Sequence, residues 1–268
     1  MITRILTVVL IAISIGMLGY LYNSIDTVIK TKEAIKTKED ATIQALKLIR
    51  EAEIVYLGVN GKYTASWDTL RDFIEHGRVP IIDRHETIIQ KAYGGEEVKV
   101  TIDTLGFIPA KERIFKKTYT VNAADDGIFR GYKVKVGDEV IGNQRAFALE
   151  VLGTIREQPF IEGGIIEKLA DVKPGDKVTK GTTLVTYYNY AFDIKTDISK
   201  VGIKPGTDLK FEIYVGFVDK AGVQVQVIEV KDPSPDNPAR KETNEQKNRK
   251  PLRFGSRLDV STSGNWES

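Results

Sequence analysis

His76 and His85 are the only two histidines in this 268-residue sequence. His85 opens the string His-Glu-Thr-Ile-Ile, which begins as a zinc-hydrolase helix does, with a histidine ligand followed by a glutamate base. The second histidine of that motif is missing, since Ile89 stands in its place. No metal site follows from it. Asp125-Asp126-Gly127 sets two carboxylates beside a glycine. Calcium takes about six to eight oxygen ligands, and the surrounding residues offer few, so a solvated turn is expected. Cysteine is absent, which excludes thiolate catalysis, disulfides and Cys-ligated zinc. The sequence has no phosphate-cradling G-x-x-x-x-G-K-S/T loop, no G-x-G-x-x-G fingerprint and no G-x-S-x-G elbow. The expectation is therefore a non-enzyme with no catalytic residue, no cofactor and no metal.

Composition narrows the partners. Hydrophobic residues make up 41% and charged residues 28% of the chain, with a net charge of +2. A nucleic-acid partner needs a concentrated basic face, so none is expected.

The elements that would carry any function begin with an apolar run. From Ile5 to Ile25 there is no charged residue, and Tyr20 and Tyr22 lie at its far end. About 20 such residues span a hydrocarbon core of roughly 30 Å, and tyrosine favours its interface. A transmembrane helix is expected over residues 1–25. Ala12 and Gly16 form a small-xxx-small pair that can admit a neighbouring helix, although such pairs are also ordinary membrane-helix composition. Residues 26–58 continue as a helical stalk without proline. Ile25, Val28, Ile29, Ile35, Ile43, Leu46, Ile49 and Ala52 keep to one stripe. The stripe is thin near Lys36–Thr42, which predicts a solvated stalk or a surface awaiting a partner. Asn60-Gly61 ends the helix with residues that tolerate a left-handed cap. Ser66 and Asp68 start a second, short helix that Gly77 stops. Tyr63 and Trp67 are expected to pack on the last turns of the long helix, making Asn60, Gly61, Tyr63 and Trp67 a structural joint.

At this joint the sequence resembles known families. The pattern A-x-x-x-Y-x-x-x-N-G-x-Y, carried by Ala52, Tyr56, Asn60, Gly61 and Tyr63, resembles type IV pilins and type II secretion pseudopilins. The likeness covers the first third of the chain and is one of architecture, without the leader and the acidic residue near the helix start. The wider layout is similar to a group of uncharacterised single-pass envelope proteins of Gram-negative bacteria. That second likeness rests on Asn60–Leu70, Ile102–Gly106 and Asp232–Glu267. It implies an inner-membrane anchor with most of the chain in the periplasm. It also implies partners among other envelope membrane proteins, the lipid bilayer and the chain itself.

Beyond Gly77 the texture turns to β. A small α+β segment is expected over 59–117 and a β-rich region over 118–230. Val98, Val100 and Ile102 alternate as in a half-buried strand. The strings at residues 210–230 read as a hairpin turning at Asp219–Gly222. Val134–Val140 (VKVGDEV) and Val172–Val178 (VKPGDKV) repeat each other 38 residues apart, and Ile203–Leu209 is a looser copy. Val172–Leu184 resembles the biotinyl/lipoyl hairpin module. A common β-turn motif is the alternative. No lysine lies in the tight turn that carries a covalent cofactor there.

Residues 231–268 read as a basic, Pro-rich linker followed by a docking segment. Asn237 to Lys250 has too few apolar residues to fold by burial. Then Leu252, Phe254, Leu258 and Trp266 return. Arg253, Phe254, Arg257 and Trp266 are the expected docking residues, whether onto a partner or back onto the chain as an extended segment.

The sequence thus predicts an α+β chain, with an N-terminal transmembrane helix continuing into a long helical stalk and a mostly antiparallel β domain. The expected role is a membrane-anchored structural or adaptor subunit of an envelope complex, of secretion, transport or motility type. A pilin- or pseudopilin-like subunit is the alternative, and a ligand sensor or enzyme comes third.

Overall fold

The computed structural model describes residues 2–90, 96–241 and 251–267, and the side chains of 2–13, 83–99, 239 and 241 lie outside the description. The chain divides into two compact units. One gathers Met1–Glu53, Lys62–Trp67 and Lys200–Ser268, and the other Ile54–Gly61 and Asp68–Ser199.

Helix α1 runs from Ile2 to Asn60 without interruption. Its character changes along its length. The described apolar residues from Ile15 to Ile29 are exposed, while Thr42, Leu46, Ile49, Ala52, Glu53 and Tyr56 are buried. Spacings of three and four put these buried residues on one face. Gly61, with φ of +69°, closes the helix and its N–H donates to Leu57 O at 2.8 Å, a left-handed cap that L side chains resist.

The expected architecture needs correction. Among the described residues no helix is long and apolar enough to cross a membrane. The run without charged residues ends at Ile25. Asp26 then follows and pairs with Lys30 at 2.7 Å. The transmembrane, single-pass and inner-membrane assignments therefore fall, together with the periplasmic placement built on them. The α+β class is corrected with them. Among the described residues the fold is mostly antiparallel sheet, with thirteen strands and three α-helices. The pair Ala12 and Gly16 falls partly outside the described side chains, and around Gly16 there is open space.

Helix α2 (Trp67–His76) buries Leu70, Phe73 and Ile74. Tyr56 meets Phe73 edge-on, with ring centroids 5.1 Å apart. A Cβ at Gly77 would lie 2.3 Å from Phe73 O, so glycine alone ends this helix. Strands β1 (Arg78–Gln90) and β2 (Glu96–Pro109) form a long hairpin that is a sheet of its own. The half-buried strand expected around Ile102 differs from this. Val100 and Ile102 are exposed, because β1 is the only strand paired with β2 among the described residues.

After α3 (Ala110–Phe115) comes a module of eight strands. They are β3 (Lys116–Asn122), β4 (Gly127–Tyr132), β5 (Glu139–Val140), β6 (Arg145–Val151), β7 (Thr154–Pro159), β8 (Gly164–Leu169), β9 (Lys177–Val178) and β10 (Thr183–Tyr190). They make two four-stranded sheets in the orders β3-β10-β8-β5 and β7-β6-β4-β9. The 38-residue repeat explains this. It carries β4, β5 and β6 onto β8, β9 and β10, so the two sheets have the same order, and each half lends its two-residue strand to the other half's sheet. The turns match in detail. Lys135 N–H donates to Asp138 Oδ2 and Lys173 N–H to Asp176 Oδ2, both at 2.8 Å. Gly137 and Gly175 have φ of +88° and +103°. Phe129, Phe147, Phe160, Leu184 and Tyr187 fill the core between them.

Strands β11 (Glu212–Lys220) and β12 (Val223–Lys231) form a hairpin turning at Ala221-Gly222, both with positive φ. Strand β13 (Arg253–Gly255) adds to β12, with Phe254 opposite Val230.

Candidate functional site

The residues of the joint occupy defined places. Asn60 Nδ2 donates to Tyr56 O at 3.1 Å, adding a second tie beside the Gly61 cap. Tyr63 N–H donates to Gln226 Oε1 at 2.6 Å. The buried Trp67 ring lies on Gly202, where an added Cβ would sit 2.5 Å from the ring and φ is +88°. Trp67 is thus seated on the 200–206 loop. Gly202→Ala should destabilise the unit by about 1–3 kcal/mol through strain and overpacking, read as a lower midpoint in urea. A Gly206→Ala control has the same backbone sign but open space around it and should cost less.

Glu53 is the least expected residue of this region. It is fully buried on α1, with Oε2 accepting the Thr64 N–H at 3.1 Å and Oε1 without a hydrogen-bond partner among the described residues. Burial outweighs the Thr64 hydrogen bond and pushes its carboxyl up to about 8. At neutral pH it is a neutral acid. Tyr63 is pushed up too, by burial and then by the charge Glu53 can carry. Sequence reasoning passed over Glu53, although a signal existed, since it lies four residues after Ile49 on the buried stripe.

A buried ion cluster ties the 231–241 segment down. Lys204 Nζ, with a side chain 2% exposed, sits 3.1 Å from Asp232 and 2.7 Å from Asp236. It also donates to Ser234 O. Asp236 meets Lys38 of α1 at 3.6 Å, and Arg240 meets Glu39 at 2.6 Å. The thin part of the α1 stripe therefore meets the chain's own Pro-rich segment, through charge. Residues 242–250 of the expected linker lie outside the described residues. The loose repeat copy at Ile203–Leu209 takes no part in the two four-stranded sheets. Its lysine is the centre of this cluster.

All four of the expected docking residues contact their own unit. Phe254 is fully buried, and Arg253 and Arg257 both bond Glu229, at 3.0 and 2.8 Å. Arg257 also lies over Tyr214. Trp266 faces Arg50, whose guanidinium bonds Glu267 at 2.7 Å. The segment docks in cis as an added strand, the mode expected for an extended peptide.

Polar chemistry gathers at one other place. Two adjoining open clefts of about 460 and 410 Å³ share Glu112 and Lys116. Lys116 Nζ bonds Glu167 at 2.7 Å and Glu112 at 3.2 Å, and stands 4.3 Å over the Tyr188 ring. Burial works against its charge, but the two carboxylates hold its pKa above the usual value. A lysine so neutralised is a poor nucleophile or base. Asp125 and Asp126 are engaged by Arg156 and the Lys180 N–H. Among the described residues no cluster of three or more His, Asp or Glu can hold a metal, and the side chain of His85 lies outside them.

Comparison with known proteins places the chain in no family. No family model matches, and no curated protein matches. Among solved structures, urea carboxylase of Kluyveromyces lactis overlaps 26% of this chain and 6% of its own, at 21% identity and a TM-score of 0.25. Succinylglutamatedesuccinylase/aspartoacylase from Rhodobacter sphaeroides overlaps 28% of this chain and 23% of its own, at 24% identity and a TM-score of 0.24. The chain thus spans less than a quarter of the length of either, and overlaps this slight carry no inference.

Proposed function

We propose that this chain is a non-catalytic structural or adaptor subunit of a larger assembly, engaging other chains through the exposed apolar stretch of α1 from Ile15 to Ile29. The observation that carries this reading is the state of that helix. Ile15, Leu18, Tyr20, Leu21, Tyr22 and Ile25 are all more than half exposed. At about 100° per residue they spread over more than half of the helix circumference. Stable monomers rarely leave a patch beyond a few hundred Å² uncovered, so several neighbouring elements must surround it. The resemblance to envelope proteins supports an assembly of secretion, transport or motility type. A pilin-like subunit is the second reading, favoured by one continuous helix whose described apolar residues are exposed from Ile15 to Ile29 and which buries one face from Thr42 to Tyr56.

Light scattering and native mass spectrometry on the pure chain test both. Wild type should be larger than a monomer, and Leu18→Lys with Leu21→Lys should shift it toward the monomer. A fixed small stoichiometry supports the adaptor, and an open-ended polymer supports the pilin-like subunit. A wild type that stays monomeric at high concentration overturns assembly through α1.

A further inference from the structure

The β1–β2 hairpin stands as a two-stranded sheet of its own. Thirteen residues of β1 pair with β2, about 44 Å of ribbon at the usual rise. A lone two-stranded sheet is marginal in water, and this one leaves Ile102, Leu105 and Phe107 at 59, 68 and 62% exposure. Both outer edges are unpaired among the described residues. The β1 edge is interrupted by Pro80, a residue that blocks ladder hydrogen bonds and guards edges. Strand β2 has no proline before its last residue, so its edge is the open one.

The register brings two acidic positions together. Asp83 stands directly opposite Asp103, and like charges so placed destabilise a sheet. A cation opposite Asp103 across the free edge of β2 would offset this. The sequence of β2 supplies one, from a second copy. Read antiparallel to itself about Thr101, the strand sets Lys99 opposite Asp103, Val100 opposite Ile102 and Thr101 opposite Thr101. The twofold makes the ionic and apolar matches occur twice.

We propose that two copies of the chain join by antiparallel pairing of β2 with β2 about Thr101, making a continuous four-stranded sheet. A strand from an unrelated protein could use the same edge, but it would not explain why β2 complements itself in charge, branching and hydroxyl position at once. The pairing does not depend on α1.

Cysteine cross-linking on the full chain tests it. The native sequence has no cysteine, so each link is unambiguous. Residues opposite each other in an antiparallel pair have Cα atoms roughly 4.5–5.5 Å apart, within disulfide reach. Thr101→Cys should form a covalent dimer under mild oxidation. Leu105→Cys is exposed on the same strand, but its two copies would lie roughly 27 Å apart, and it should stay unlinked. Adding Lys99→Asp or Asp103→Lys to Thr101→Cys should slow linking about tenfold. The two together should restore it, with circular dichroism unchanged throughout. If Thr101→Cys links no faster than Leu105→Cys, or the double exchange fails to restore linking, the pairing is wrong. Larger species that persist without a Thr101 link would leave assembly through α1 standing and remove this proposal alone.

Discussion

Replacing Glu53 with glutamine should raise the melting temperature at pH 9 by about 10 °C or more and leave it nearly unchanged at pH 4. The reason is linkage. The carboxyl titrates at about 8 in the fold against 4.5 when free, so between those values the folded chain holds a proton that the unfolded chain has released. Stability then falls with rising pH across that window. Below pH 4.5 both states are protonated and the group costs nothing beyond its burial. Above pH 8 the full difference applies, on the order of 5 kcal/mol at about 1.4 kcal/mol per unit. Glutamine keeps an oxygen for the Thr64 N–H and has no charge to bury. Its curve of melting temperature against pH should be flat where the wild type slopes down. At roughly 2–4 °C per kcal/mol for a chain of this size, the gap is easily read by calorimetry. A wild-type curve with no downward slope between pH 5 and 8 would contradict the burial of an ionisable Glu53.

The second large effect is at Lys204. Lys204→Met should cost about 3–5 kcal/mol, because it leaves Asp232 and Asp236 facing each other with their shared cation gone. The side chains of Lys204 and Asp232 are 2% and 3% exposed, so water does little to screen them. Burial pushes Asp236 up, but hydrogen bonds and charge from Lys204 and Lys38 bring it below the usual carboxylate range. Its contribution is therefore fully present above its ordinary pKa and is lost as pH falls through the lower, folded value. Urea unfolding at pH 7 should show the loss in the transition of the unit that holds α1 up to Glu53 together with β11–β13. Lys204→Met combined with Asp232→Asn and Asp236→Asn should recover much of it, since no unpaired charge then stays buried. A single substitution that cost under 1 kcal/mol would mean the cluster is open to solvent.

How far the sequence carried the fold can be read from particular residues. The 38-residue repeat was legible because each copy needs the same glycine at positive φ and the same aspartate closing the turn. Its consequence, two sheets of identical strand order, followed from local chemistry repeated twice. The stop at Gly61 was legible for the same reason. The apolar run at Ile5–Ile25 misled, because hydropathy alone states a preference for burial and not what does the burying. Glu53 was missed because a single carboxylate on an apolar stripe looks like a stripe edge until its neighbours are placed. Lys204 carried no sequence signal, since its partners lie about thirty residues away, across the β11–β12 hairpin. The seat of Trp67 on Gly202 was equally hidden. The sequence showed a tryptophan beside a helix end, and only the fold shows which glycine was kept bare for it.

The exchanged short strands of the eight-stranded module have one more consequence. Each half lends its two-residue strand to the other half's sheet, so neither half closes a core by itself. Lys116 and Tyr190, at the module's two ends, stand opposite each other in register. New ends opened at Leu152-Gly153, with the old ones joined, would therefore keep every strand beside its present neighbours. The module is in effect a ring that happens to be cut between β10 and β3. Two separate 38-residue halves would have to find each other to fold, and the single chain makes that meeting a matter of loop closure.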